Sequence, residues 1–213
     1  MTVEPGAQDV RYSEELVLGL LRPAVELQPG DRPPAPGALA LVQAFVNTSW
    51  DLEHGNVEIF TSPPALARWL SDHGLLERGI RLGPNDLDRA LDVRAGLRSM
   101  LFFNNGDQED RDAVKQLNRA LGGRGLYIEL DASGRPEFKA ARRDLDAALA
   151  TIATIVALAQ LDGRWSHLKA CRGEECGWTF YDHSRNQAGS WCAMSICGSR
   201  AKARDYRHRQ KRT

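Results

Sequence analysis

All four cysteines of this 213-residue chain fall in one window, with the spacing Cys171-x4-Cys176-x15-Cys192-x4-Cys197. No other feature limits the fold as much. Two close pairs of soft ligands, separated by a longer excursion, are how a chain wraps one tetrahedral ion. Thiolates bring both the softness and the negative charge that Zn2+ takes in structural sites. Gly173, Gly177 and Gly198 suit the tight backbone turns such an ion requires. Four protein ligands leave no open coordination position, so the expected cofactor is one structural Zn2+ on Cys171, Cys176, Cys192 and Cys197. Disulfides, a redox-responsive form of the same site and an iron tetrathiolate are the competing uses of these thiols. His167 and His183 then lie beside the site, not in it.

The formal net charge is zero, but the charge is unevenly placed. Residues 164–213 carry 11 Lys/Arg against 4 Asp/Glu, and residues 1–163 carry 17 against 24. An acidic body with a basic end points to a polyanionic partner. No apolar run reaches the roughly 18 residues of a membrane span. The opening stretch MTVEPGAQDVRYSEEL lacks the basic and apolar regions of a signal peptide. The expectation is a cytoplasmic protein without a membrane partner, and in a reducing compartment clustered thiols hold metal more readily than they form disulfides.

Ahead of the cysteines the pattern alternates between helical and β-prone segments. Residues 22–37 hold five of the ten prolines and read as an extended arm or linker. Leu39, Val42 and Val46 recur at helical spacing, and NVEIFTS is a short β-prone run. Ser62 followed by Pro63 signals a helix start. A longer helix is expected from an Asn85 cap, and another over residues 109–121. Residues on either side of Ala132-Ser133-Gly134 predict a β-hairpin. The run ARRDLDAALATIATIVALAQL predicts a helix stopped by Gly163.

On a helical wheel the long helix places Arg94 and Arg98 in the same face as Leu87, Leu91 and Leu101. Buried arginines are costly unless paired. They therefore either meet Asp or Glu from a neighbouring element or line a cavity that takes an anion. Asn47, Thr48 and Trp50 are the other pocket candidates, although Asn and Thr also serve as helix-end residues. A nucleophile elbow, a phosphate loop, a dinucleotide fingerprint and a zincin motif are all absent from the sequence, so no catalytic residue is assigned.

After Cys197 the chain reads GSRAKARDYRHRQKRT, seven basic residues against one acid. As a helix it aligns Arg200, Arg204, Arg207 and Lys211 in one stripe, with Lys202 and Arg209 outside it and Arg185 in the preceding loop. Such a stripe can track phosphates, releasing condensed counterions as it binds. The bland alternative is a solubilising basic terminus. Trp178, Phe180 and Trp191 are expected to form the apolar core around the metal.

The segment CGWTFYDHSRN…WCAMSICGSRAKARDYRHR resembles the CGNR zinc finger of bacterial transcription regulators. LVQAFVNT, LARWLSDHGLL and VRAGLRSML are similar to the ABATE domain that precedes this finger in the family. Two positions depart from the family pattern. Ser199 stands where the name-giving motif has asparagine, and residues 187–190, QAGS, replace common arginines, which weakens any phosphate grip there.

The pattern of helical and β-prone segments predicts an α+β protein with more helix than strand, and with the resemblance it divides into three parts. An N-terminal arm and linker occupies 1–37, and a mainly helical ABATE-like sensing domain with a small β-hairpin occupies 38–163. A four-cysteine, treble-clef-like zinc module with a basic helix occupies 164–213. The resemblance implies a zinc-containing regulator that binds DNA and responds to a small ligand, which is an anionic metabolite if Arg94 and Arg98 line a cavity, and a homodimer is compatible with that role. An enzyme or small-molecule-binding protein with a purely structural zinc, and a protein- or RNA-binding adaptor, are the alternatives.

Overall fold

The computed structural model describes residues 28–50, 57–122, 126–130, 132–134, 136–140 and 142–210. Helix α1 (Leu39–Val46) is apolar almost all round, and seven of its eight residues are buried, as expected of a helix at the centre of a core. Its C-terminal end leads into β1 (Ser49–Trp50), which pairs antiparallel with β2 (Val57–Glu58). Helix α2 (Pro63–Asp72) starts where the sequence signals it, with the Ser62 hydroxyl accepting from the Ala65 amide. Phe45, Phe60 and Trp69 meet in an aromatic cluster with ring centroids 5.7–5.8 Å apart, in the range where tilted rings attract.

Helix α3 (Pro84–Asn104) begins one residue before the expected Asn85 cap. The cause is Asp86, whose carboxylate reaches back to accept from the Gly83 amide at 2.8 Å and lets Pro84 take the first helical position. Helix α4 (Arg111–Leu121) is capped by Asp110 and ends at Gly122 in the left-handed region (φ 68°). The two helices cross at Gly96, where a Cβ would lie 2.6 Å from that of Leu117; only glycine permits so close a crossing. Strands β3 (Tyr127–Leu130) and β4 (Pro136–Lys139) form the expected hairpin around Ala132–Gly134. Its register sets Glu129 opposite Glu137, and Lys139 bridges both carboxylates at 2.8 and 2.9 Å. Helix α5 (Leu145–Leu161), capped by Asp144, closes the body by burying Leu149, Ile152 and Ile155.

The C-terminal part is a two-stranded ribbon, β5 (Leu168–Ala170) against β6 (Thr179–Tyr181), followed by helix α6 (Ser199–Gln210). A lone two-stranded ribbon is marginal in water, and here both of its outer edges are sealed by side-chain amides from the body. The Asn47 amide accepts from the Thr179 N–H at 2.7 Å and donates to the Thr179 carbonyl at 2.9 Å, imitating a third strand. Gln43 adds a second donor to that carbonyl. On the other edge Asn104 donates to the carbonyls of Trp165 and Leu168, and Asn105 to those of Ala170 and Ser190.

Residues 28–37, expected as arm or linker, pack against this ribbon. Arg32 donates to the carbonyls of Tyr181 and Trp191 and lies 4.7 Å over the Phe180 ring. The Ala35 amide donates to Gln43 Oε1 at 2.7 Å. Proline content alone does not separate a free linker from a packed extended segment.

The Asn47 clamp yields a direct expectation. Asn47→Ala orphans the buried Thr179 N–H and should destabilise the protein by about 2–3 kcal/mol. The melting temperature should fall by roughly 5–10 °C, read by thermal denaturation of the zinc-loaded protein. A melt unchanged within a degree would mean that the clamp contributes nothing.

Candidate metal centre

Cys171 directly follows β5, and its amide donates to the Trp178 carbonyl, continuing the ribbon by one pair. Cys176 lies in the turn between the strands, Cys192 beyond the loop after β6, and Cys197 in the single turn of π-helix (Met194–Gly198) that runs into α6. All four are buried free thiols whose sulfurs lie within 4.8 Å of one another. Cys176–Cys192 and Cys192–Cys197 are separated by 3.8 and 3.6 Å. A tetrahedral ion with Zn–S bonds of about 2.3 Å sets neighbouring sulfurs about 3.8 Å apart. The cluster fits one Zn2+.

The electrostatics point the same way. Hydrogen bonds from the Cys176 and Cys192 thiols, with the amides of Cys192 and Gly173, hold Cys171 far below the usual thiol range. The same sharing with Cys171 pushes Cys176 and Cys192 up. Thiols crowded this closely oppose one another's ionisation, and a divalent ion would supply the charge that lets all four do so. Trp178 and Phe180 pack with the four cysteines in a small core of their own, with Trp191 and Trp50 at its edge.

The glycines act in two ways. Gly177 holds a positive φ of 57°. Gly173 is needed for space instead, since a Cβ there would lie 2.9 Å from the Cys197 sulfur and 3.1 Å from the Cys176 Cβ.

A second polar cluster shapes the loop from Asp182 to Ser190. Lys169 and Asp182 are both buried and paired at 2.9 Å. Lys169 also donates to the carbonyls of Gln187 and Gly189. Asp182 accepts from the Ser184 amide and hydroxyl and from the Gly189 amide. Burial alone raises the Asp182 carboxyl, but the Ser184 hydroxyl, Lys169 and these amides outweigh it and hold it well below the ordinary carboxylate range. Gly189, within the QAGS segment, admits this close approach, since its Cβ would fall 2.8 Å from an Asp182 oxygen.

Helix α6 leaves the metal centre directly, with the Ser199 hydroxyl donating to the Met194 carbonyl. Ala201 is its sole buried residue among those described. Arg204 pairs with Glu174 of the first cysteine loop, so this member of the stripe ties the helix to the knuckle. Lys202, Tyr206 and Arg207 are exposed; at about 100° per residue Tyr206 and Arg207 fall on the side away from Ala201 and Lys202 on its flank. Arg200, Arg209 and Arg185 are also exposed, and Lys211 lies outside the described residues.

Of the body residues singled out from sequence, Asn47 and Thr48 are fully buried. Thr48 donates to the Phe45 carbonyl and accepts from Arg94. Arg94 is paired with Glu58, the first of the two fates open to it. Arg98 meets no carboxylate among the described residues and donates to the carbonyls of Val46 and Ser49. Burial and the neighbouring Arg94 charge depress its pKa to about 10. Arg98 and Trp50 line a cleft, and Trp50 also meets Trp178 edge-on with ring centroids 5.1 Å apart. The buried stripe of α3 runs through Ala90, Val93, Arg94, Leu97 and Leu101, which leaves Arg98 at its flank and not at its centre.

A tetrathiolate knuckle on a clamped β-ribbon, with a cationic helix leaving its last ligand, defines a zinc-finger protein built on a helical body. Residues 167–210 match the CGNR zinc finger. Residues 37–162, more than half of the chain, match the ABATE family, described as "Putative stress-induced transcription regulator". The protein belongs to that family and carries the finger as its C-terminal module. No curated protein sequence matches the chain. No described helix is long and apolar enough to cross a membrane.

Proposed function

We propose that this protein is a transcription regulator in which residues 164–213 bind DNA and residues 38–163 sense a small molecule. The observation that carries the reading is the placement of α6. Its first turn follows Cys197 without a linker, and it exposes Tyr206 and Arg207 on its outer face with Lys202 and Arg209 along one flank. A helix so anchored offers cations at fixed positions, and phosphate contacts of this kind set orientation while base contacts specify sequence. Arg185 extends the basic surface from the Asp182 loop. Arg204, held by Glu174, acts on the helix position and reaches phosphate only if that pair opens. Cys171, Cys176, Cys192 and Cys197 hold the zinc that keeps this surface rigid.

The test is selection of bound sequences from a randomised duplex pool by the zinc-loaded protein near physiological salt. A recovered motif that is lost on chelation supports a regulator. Enrichment of RNA or none of DNA overturns the assignment. Lys202→Ala combined with Arg207→Ala should reduce the slope of log K against log salt by about 2 with zinc retained. An unchanged slope would exclude the outer face of α6 as the phosphate contact.

A further inference from the structure

The cleft lined by Arg98 and Trp50 has a volume of about 420 Å³, within the range of small-molecule sites. It lies at the junction of the two parts of the protein. Ser49, Trp50, Val57, Glu58, Arg98 and Phe102 form one wall, and Gly173, Glu175, Cys176 and Gly177 of the first cysteine loop form the other.

Charge decides what the cleft can take. Glu58 is already neutralised by Arg94, so the cation left over is Arg98. Its Nε is buried without a hydrogen-bond partner, and its Nη2 donates to two backbone carbonyls. Glu58 and Cys176 act on it only through space, and no carboxylate pairs with it directly among the described residues. A ligand carboxylate in the cleft supplies that direct pair.

The remaining lining limits the ligand further. Cys176 on the opposite wall is one of the four thiolates that would surround a Zn2+ with net negative charge. That centre disfavours every anion, a phosphate or a dicarboxylate more strongly than a monocarboxylate, whose single charge Arg98 can balance. Trp50, Phe102 and Val57 supply apolar and aromatic surface for the rest of the molecule.

We propose that this junctional cleft binds a small aromatic monocarboxylate, its carboxylate on Arg98 and its ring between Trp50 and Phe102. The inference rests on the sensing half of the function proposed above and names both the ligand class and the place. An occupant touches the body and the cysteine loop at once. It therefore alters the seating of the zinc module against the body without needing a longer relay, which satisfies the requirement that a ligand contact differ between two states.

The test uses the full-length zinc-loaded protein without DNA. Benzoate, phenylacetate and indole-3-acetate are titrated by calorimetry and by the fluorescence of Trp50 and its neighbours, each acid alongside its primary amide. At least one acid should bind saturably at one per chain, and its amide at least about tenfold more weakly. Arg98→Gln should abolish binding. Since Arg98 also holds two backbone carbonyls, Val57→Asp provides a second test. Val57 is 36% exposed, so the fold tolerates the change. The added carboxylate in the lining should weaken the acid about tenfold or more, with zinc content and melting temperature unchanged. The proposal is overturned if no acid of the three saturates, if the amides bind equally well, or if Val57→Asp binds like the wild type. The two readings separate cleanly. Acid binding by a protein with no DNA affinity keeps the cleft and removes the regulator, and DNA affinity without acid binding does the reverse.

Discussion

Cys176→Ser should take the zinc content from one ion per chain to nearly none and unfold the C-terminal ribbon while the helical body stays folded. Serine is a poor replacement because zinc in this setting is held by thiolate, and a neutral hydroxyl supplies neither the charge nor the softness. The remaining three sulfurs would surround an incomplete site. Structural zinc contributes an apparent ~10–16 kcal/mol in finger peptides at neutral pH, far more than the four Asn and Gln side chains that clamp the ribbon edges. Most of the core around Phe45, Leu101 and Ile152 lies in the body, although the ribbon adds Leu168, Ala170 and Tyr181 to it, so the body should stay folded at reduced stability and two transitions are expected where the wild type has a coupled one. Zinc analysis and near-ultraviolet circular dichroism, which reports Trp178 and Trp191, read both halves of the expectation. Chelation of the wild type should give the same signature. Full zinc retention by the variant would exclude Cys176 as a ligand.

The metal centre was legible because its information is local. Four cysteines at short spacing encode their own geometry, and the glycines between them point to tight turns. Helix ends such as Ser62–Pro63 were legible for the same reason, each being a contact within one turn. The displaced start of α3 marks the limit of that logic, since an acid one turn in can recruit the residue before a proline.

The contacts that join the two parts were not legible. Asn104 and Asn105 at the end of a helix look like ordinary C-terminal residues, and their role appears only when β5 lies alongside. Asn47 is separated from Thr179 by 132 positions, and no periodicity connects them. Arg94 and Arg98 raised the right question, yet their different answers depended on Glu58 reaching one and not the other. Lys169 carried no signal, because a lysine in a short β-prone run reads as solvent-facing. The cleft at the junction has half of its lining on each part and is visible only when both are placed.

Lys169 is also where the second large effect is expected. Asp182→Ala removes the carboxylate facing a lysine whose side chain is 5% exposed. It also strips the acceptor from the amides of Ser184 and Gly189 and from the Ser184 hydroxyl. Breaking a buried pair from one side costs about 3–5 kcal/mol, because the surviving charge stays desolvated. Lys169 keeps two backbone carbonyls, which places the expected loss toward the lower half of that range. The loop that delivers Cys192 starts from these contacts, so zinc affinity should fall with stability, and a zinc competition titration should show it. Lys169→Met alone leaves the Asp182 contacts to Ser184 and Gly189 in place and should cost less. The double variant Lys169→Met/Asp182→Ala separates the two roles of the aspartate. If the charge pair dominates, the double variant recovers most of the stability lost in Asp182→Ala; if the loop contacts dominate, it stays as unstable as that single variant and as poor in zinc. Wild-type stability and zinc affinity in Asp182→Ala itself would mean that neither role matters, and that the loop is held by the zinc alone.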